Sequence, residues 1–93
     1  MRYNNKNVIL PNVFVPLDEI WYTSSDGNIV TPYRINSLQT IVSNTYVDGK
    51  GIFKFERDAT IIGKNAFESC NTLTSMNIPN SIHYIGTGAF KYC

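Results

Sequence analysis

A ten-residue stretch occurs twice in this chain of 93 residues. The first copy, Ile61–Cys70, reads IIGKNAFESC, and the second, Tyr84–Cys93, reads YIGTGAFKYC, so both contain I-G-x-x-A-F-x-x-C. A shift of 23 residues superimposes the two copies, because 84 minus 61 is 23. A unit that repeats at this period cannot bury its apolar side chains alone and needs neighbouring copies to cover them. The sequence therefore predicts coils that stack on one another.

The repeat extends toward the N-terminus in a weaker form. The same shift places Met76 and Ile78 on Phe53 and Phe55, so KGIFKFE aligns as a degenerate copy of LTSMNIP. The spacing L-x-x-M-x-I from Leu73 is typical of a short strand that points alternate side chains inward. Because the period lies in the leucine-rich-repeat range, we predict about two short solenoid coils over residues 50–93.

The recurring apolar positions predict the core of the coils. The predicted core residues are Ile62, Phe67, Cys70, Met76, Ile78, Ile85, Phe90 and Cys93. Gly86 is expected to supply a bend that a side chain would obstruct. Stacked coils lie about 4.8 Å apart, which places Cys70 and Cys93 within the Cα range of a disulfide, about 4.4 to 6.8 Å. The spacing permits a disulfide or two buried free thiols, and we favour the free thiols.

The N-terminal half contains two Asp-Gly pairs, each between β-rich runs. Asp26-Gly27 lies between IWYTSS and NIVTPY, and Asp48-Gly49 lies between TIVSNTYV and KGIFKFE. Both arrangements predict β-hairpins. Residues 1–18 contain two prolines and are expected to form an extended arm or an edge strand. We therefore expect a mainly β fold, with an arm and hairpin cap over residues 1–49 and the coils over residues 50–93, as one continuous folding unit.

Composition limits the partners and the chemistry. The net charge of +1 gives no electrostatic reason to expect nucleic acid or an anionic membrane as partner. No apolar run approaches the roughly 18 residues that a membrane span requires. The N-terminal segment is not recognisable as an export signal, so a cytoplasmic location stays open. Two cysteines are too few for a disulfide framework or a structural zinc site.

No group of residues in the sequence indicates catalysis. His83, the only histidine, falls at a variable position of the repeat, and the adjacent pair Asp18-Glu19 is expected to be solvated. Paired carboxylates act as acids and bases only in a pocket that shifts their pKa values. Neither Asp-Gly turn is accompanied by the further ligands of a calcium loop or a P-loop. We expect no enzymatic activity, no cofactor and no metal.

The stretch IPNSIHYIGTGAFKYC, Ile78–Cys93, resembles the BspA-like leucine-rich repeat of bacterial surface antigens. The segments EIWYTSSDGNIVTPY and SNTYVDGKGIFKFE are similar to the β-hairpin cap that precedes these repeats in many members. The resemblance implies a curved β-rich solenoid without catalytic activity. It also implies an extracellular or cell-surface location and adhesion to a host matrix protein or a glycan.

Aromatic residues of the cap and variable positions of the repeat are the candidate interaction surface. These residues are Trp21, Tyr22, Tyr33, Tyr46, Thr74, Asn77 and His83. Exposed aromatic side chains beside small polar ones are often found at binding surfaces. Two alternatives stay open. The chain could be a structural unit that forms a homo-oligomer through the uncapped C-terminal repeat, or a fragment of a longer repeat protein with no independent function.

Overall fold

The computed structural model describes residues 9–10, 14–33 and 39–93. These residues form seven strands and no helix. The strands are β1 (Ile9–Leu10), β2 (Glu19–Ser24), β3 (Ile41–Val47), β4 (Lys50–Phe55), β5 (Ile61–Ile62), β6 (Leu73–Asn77) and β7 (Tyr84–Ile85). The prediction of a mainly β fold is confirmed. Within the predicted arm, residues 1–8 and 11–13 lie outside the described residues, and β1 is an edge strand.

Five strands form one sheet in the order β1-β6-β2-β4-β3, and β5 and β7 form a second, smaller sheet. Strand β2 runs antiparallel to both of its neighbours, with Tyr22 opposite Gly51 on β4 and opposite Met76 on β6. The 23-residue shift makes β4 and β6 equivalent, yet β2 lies between them. A strand from the predicted cap is therefore the central strand of the sheet that the repeats help to form.

One of the two predicted hairpins is confirmed and the other is wrong. Strands β3 and β4 pair antiparallel up to Val47 and Lys50, and the two turn residues, Asp48 and Gly49, both have positive φ. Ser24 is not followed by a second hairpin strand, because residues 25–33 contain none. Instead, the carboxylate of Asp26 accepts a hydrogen bond from the backbone N–H of Asn28 at 3.1 Å. The Asp-Gly pair therefore forms a local turn, as its composition predicts, but the chain does not return alongside β2.

The two copies of the repeat stack on each other along β5 and β7. These strands are parallel, with Ile61 opposite Tyr84 and Ile62 opposite Ile85, which is the predicted shift of 23 residues. The ladder continues into the following turn, where the backbone N–H of Phe67 donates to the carbonyl of Ala89 at 2.8 Å. The stacking that the repeat predicts is therefore present on this side of the molecule.

Gly86 is needed for a close approach between the two copies. Its backbone N–H donates to the carbonyl of Ile62 at 2.7 Å. A Cβ atom at this position would lie 2.4 Å from the backbone nitrogen of Lys64 and 2.7 Å from the carbonyl carbon of Gly63. The prediction that a side chain at Gly86 would be obstructed is therefore confirmed, and the obstacle is the backbone of the other copy.

A series of aromatic rings connects the sheet with the stacked coils. Ring centroids are 4.7 Å apart between Tyr22 and Phe53, 5.6 Å between Phe53 and Phe67, and 5.8 Å between Phe67 and Phe90. All four side chains are buried. Aromatic pairs at these separations add to the stability that burial of their area provides. The core is therefore shared between residues of the predicted cap and residues of both repeats.

The predicted core residues differ in their burial. Ile62, Phe67, Met76 and Phe90 are buried, while Cys70, Ile78 and Ile85 are half-buried and Cys93 is exposed. Cys93 lies in the second copy of the repeat, which stacks on the first copy among the described residues. Both cysteines are free thiols. The Sγ of Cys93 donates to the carbonyl of Phe67 at 3.1 Å, and that of Cys70 donates to the carbonyl of Thr31 at 3.4 Å.

Candidate functional site

The five-stranded sheet has one face against the aromatic core and one face that we call the open face. Side chains of the open face alternate with the buried ones along each strand. They are Glu19, Trp21 and Thr23 on β2, Lys50, Ile52 and Lys54 on β4, Ser43, Thr45 and Val47 on β3, and Ser75 and Asn77 on β6. None of these residues is fully buried. The open face is therefore a surface of four neighbouring strands that is available for contact.

Trp21 lies near the centre of the open face. It is opposite Ile52 on one neighbouring strand and opposite Asn77 on the other. Its indole Nε1 donates to the Oε1 of Glu19 at 2.8 Å. The ammonium of Lys50 lies 3.3 Å from the centroid of the indole ring, a cation–π contact. These two contacts hold the half-buried indole in one orientation.

The charges near one end of the open face are paired. The Nζ of Lys54 lies 2.8 Å from a carboxylate oxygen of Asp18 and 3.7 Å from one of Glu19. The hydrogen bond from Lys54 lowers the pKa of Asp18, and the same bond raises the pKa of Lys54. Both side chains remain in contact with solvent, so water and salt screen this pair. One ammonium and two carboxylates therefore leave this end of the face with a net charge of −1.

A cluster of three hydroxyl groups lies on the other side of Trp21. The Oγ1 of Thr23 is 2.6 Å from the Oγ1 of Thr74 and 2.5 Å from the Oγ of Ser75. Thr74 reaches this cluster because the pairing of β2 with β6 shifts register between Thr23 and Ser24. The hydroxyls offer hydrogen-bond donors and acceptors without net charge. The open face thus combines an indole, an aliphatic side chain and neutral polar groups with the charged side chains of Glu19, Lys50 and Lys54.

Two of the predicted surface tyrosines lie on the opposite side of the sheet. Tyr22 is buried, which places it in the core and not on the predicted interaction surface. Its hydroxyl donates to the Oδ1 of Asn44 at 2.5 Å and accepts from the backbone N–H of Val30 at 3.2 Å. Burial raises the pKa of this phenol. Tyr46 is half-buried beside it and accepts a hydrogen bond from the backbone N–H of Ser24 at 3.1 Å.

The remaining predicted surface residues fall in two places. Trp21 and Asn77 lie on the open face, and Thr74 reaches it through the contact of its hydroxyl with that of Thr23. Tyr33 and His83 are exposed, but both lie outside the strands of the five-stranded sheet. Their backbone N–H groups donate to Ala66 and Thr60 respectively, which places both residues against the repeat coils. The structure therefore brings three of the seven predicted residues into one surface.

A shallow cleft of about 370 Å³ lies between the segment after β2 and the first repeat turn. Its lining includes Val30, Tyr33 and Cys70. Burial, and then the nearby Cys93, raises the pKa of the Cys70 thiol to about 11. A thiol is nucleophilic only as a thiolate, so Cys70 is a poor nucleophile at neutral pH. The cleft therefore lacks the activated thiol that covalent catalysis would require.

Within residues 9–10, 14–33 and 39–93, no group of three or more His, Cys, Asp or Glu side chains is arranged to hold a metal ion. The same residues include no helix that is long and apolar enough to cross a membrane.

A family model described as "BspA type Leucine rich repeat region (6 copies)" matches residues 4–93. The chain belongs to this family. The resemblance carried by Ile78–Cys93 is thereby confirmed, and the match extends over the predicted cap as well. Neither the curated proteins nor the solved structures include one that matches the chain. Leucine-rich repeats are typically non-catalytic modules for protein interaction, and BspA-like members are typically surface-associated.

Sequence reasoning missed several residues of the open face in this BspA-type repeat chain. Lys50, Ile52 and Lys54 belong to the run KGIFKFE and are not among the predicted surface residues. Gly51, Phe53 and Phe55 are the buried positions of the same strand. The signal was present, since the repeat alignment already assigned the two phenylalanines to inward positions and alternation then directs the three residues outward.

Proposed function

We propose that this BspA-type repeat chain is an interaction module of a bacterial cell-surface adhesin, and that it binds a host matrix protein through the open face. Membership of the family supports an interaction role and a surface location. The resemblance to bacterial surface antigens supports adhesion as the process. The open face supplies the contact surface, because its four strands present side chains that the core does not use.

The orientation of Trp21 is the observation that carries this proposal. Glu19 holds the indole nitrogen at 2.8 Å and Lys50 covers the ring at 3.3 Å. Tryptophan is enriched among the residues that dominate binding energy at protein interfaces. A side chain that is already held in one orientation loses less conformational freedom when a partner binds. Trp21 therefore has the chemistry and the fixed geometry of an interface anchor.

The neighbours of Trp21 fit the arrangement of a protein interface. Ile52 adds apolar area directly beside the indole. Thr23, Ser75 and Asn77 place neutral polar groups on one side of this apolar centre, and the charged groups of Glu19 and Lys50 contact the indole itself. Protein interfaces commonly have an apolar centre and a polar rim that forms hydrogen bonds. The same rim also offers hydroxyl and amide groups to a glycan, which makes glycan binding the outcome to test against.

Binding to immobilised extracellular-matrix proteins, measured in parallel with a glycan array, tests the proposal. We expect the wild-type chain to bind at least one matrix protein. Trp21→Ala should weaken that binding by about tenfold or more, the effect of losing an interface anchor. Tyr84→Ala is the matched control, since Tyr84 is an aromatic residue that is 54% exposed and lies on β7, outside the open face.

Two results would contradict the proposal. Equal affinity of the wild-type chain and a folded Trp21→Ala variant would remove the open face from the interaction. Binding to glycans alone would assign the face to a different class of ligand. Circular dichroism and thermal unfolding of each variant show whether a loss of binding comes from a loss of fold.

A further inference from the structure

Strand β3 is an edge of the five-stranded sheet that has few of the usual protective features. Among the described residues it pairs with β4 alone. It is also the longest of the described strands, and its sequence IVSNTYV contains no charged residue and no proline. Natural edge strands commonly carry lysines, prolines or bulges that prevent pairing with another chain. Here the register irregularity between Ile41 and Ser43 affects only the start of the strand.

The hairpin determines which backbone groups of β3 point outward. Val47 and Lys50 close a two-residue turn, so they exchange backbone hydrogen bonds with each other. Hydrogen-bonded positions alternate along an antiparallel pair. Thr45 therefore directs its backbone groups toward β4, whereas Asn44 and Tyr46 direct theirs away from the sheet. Two N–H groups and two carbonyls form a short template for another strand.

We propose that a second copy of this chain pairs with this edge, β3 against β3 in antiparallel orientation, about a twofold axis at Thr45. Asn44 of each copy then lies opposite Tyr46 of the other, and these two residues exchange the outward hydrogen bonds. Ser43 lies opposite Val47, and Thr45 lies opposite its own counterpart. No pair brings charges together, and threonine pairs are favourable across antiparallel strands.

The side chains on both faces of β3 are compatible with a second copy. On the core side, Asn44 and Tyr46 are already held by hydrogen bonds within their own chain. On the open face, Thr45 and Val47 are exposed and β-branched. A twofold edge pairing would continue the sheet to ten strands and place two open faces on the same side. Such an isologous contact closes on itself and forms a dimer instead of a fibre.

Light scattering after size-exclusion chromatography, over a range of protein concentrations, tests the pairing. We expect the wild-type chain to shift from monomer to dimer as the concentration rises. Thr45→Lys places two like charges opposite each other at the axis and should weaken association by about tenfold, because like charges in this position are destabilising. Thr74→Lys is the matched control, since it adds the same charge to β6, away from the β3 edge, and should leave association unchanged.

A crosslinking experiment tests the register independently. In a Cys70→Ser, Cys93→Ser background, Thr45→Cys places two thiols at the axis. Thr45 would be a non-hydrogen-bonded pair, in which the Cα atoms are about 4.5 Å apart, within the range that a disulfide spans. We expect mild oxidation to give a covalent dimer on a non-reducing gel. The same background with Thr74→Cys should not give one.

Three results would overturn the proposal. One is a wild-type chain that stays monomeric at every concentration while it retains its β circular dichroism. A Thr45→Lys variant that associates as strongly as the wild type is the second. The third is a dimer that is lost in Tyr84→Lys but kept in Thr45→Lys, which would assign association to the terminal coil. None of these results bears on matrix-protein binding, which is tested with Trp21.

Discussion

The rings of Phe67 and Phe90 are stacked with an angle of 8° between their planes and 5.8 Å between their centroids. The two residues are equivalent positions of the 23-residue repeat. Phe67 also contacts Phe53 of β4, with 5.6 Å between ring centroids. Phe67 is therefore the ring that connects Phe90 of the second copy with Phe53 of the sheet.

Replacing these two rings should show their different positions. Phe67→Ala should lower the free energy of unfolding by about 3 to 5 kcal/mol, because it removes a large buried side chain between two others. Phe90→Ala should lower the free energy of unfolding by less, because among the described residues Phe90 has one ring partner and Phe67 has two. Urea denaturation of both variants measures the difference. Equal losses, or a larger loss for Phe90→Ala, would contradict the assigned role of Phe67.

Gly86→Ala should destabilise the stack of the two coils. The added Cβ would overlap backbone atoms of Lys64 and Gly63, which cannot rotate away as a side chain could. Overpacking of this kind costs about 1 to 3 kcal/mol. Thermal and urea unfolding measure the loss, and Thr87→Ala, at the exposed neighbouring position, is the control. A variant as stable as the wild type would show that the two backbones do not approach so closely.

Tyr22→Phe should lower the free energy of unfolding by more than the same substitution at an exposed tyrosine. The substitution removes the hydroxyl that accepts from the backbone N–H of Val30 and donates to Asn44. A buried donor without a partner costs about 1 to 3 kcal/mol. Tyr84→Phe, at a position that is 54% exposed, should change the unfolding free energy little. A double-mutant cycle with Asn44→Ala should show coupling, and independent effects would refute the hydrogen bond's contribution.

The Cys70 thiol should make stability depend on pH in the alkaline range. Burial raises its pKa to about 11 in the folded chain, whereas an unfolded thiol titrates near about 8.5. Between these values the folded state keeps a proton that the unfolded state loses. The contribution of this thiol to stability is therefore fully present below the pKa of the unfolded state. It is lost as the pH rises toward the pKa of the folded state.

Comparison of the wild-type chain with Cys70→Ala isolates this contribution. The unfolding free energy of the variant should fall less steeply with pH over the same window, as measured by urea denaturation at several alkaline pH values. In a labelling experiment at mildly alkaline pH, iodoacetamide should modify Cys70 slowly in the folded chain and rapidly in the unfolded chain. Fast labelling of folded Cys70 would contradict the raised pKa.

Parts of the fold that depend on local pattern could be predicted from the sequence. The turn at Asp48-Gly49 lies between two runs that pair with each other, and the shift of 23 residues reappears in the pairing of β5 with β7. The partners of β2 could not be predicted in this way. An Asp-Gly pair indicates a turn, but it does not determine whether the next residues return along the same strand. Asp26 closes a turn with Asn28 instead.

The candidate site was predicted only in part for a related reason. Alternation shows that Trp21 and Tyr22 point to opposite faces, but it does not show which face is covered. The answer depends on distant residues, because Val30 and Asn44 bond to the Tyr22 hydroxyl. Thr74 and Asn77 were identified as variable repeat positions. They lie close to Trp21 because β2 is adjacent to β6, which is a property of the tertiary structure.

The central position of β2 has a consequence for how the chain folds during synthesis. Thr23 pairs with Ser75, so the middle of the sheet stays incomplete until the ribosome has released both. A simple repeat array can add one coil after another as it emerges. Here β2 cannot complete its pairing until β6 has been synthesised, and pairing between strands so far apart in the sequence is slow. The repeats and the segment before them are therefore expected to become stable together, in one cooperative step.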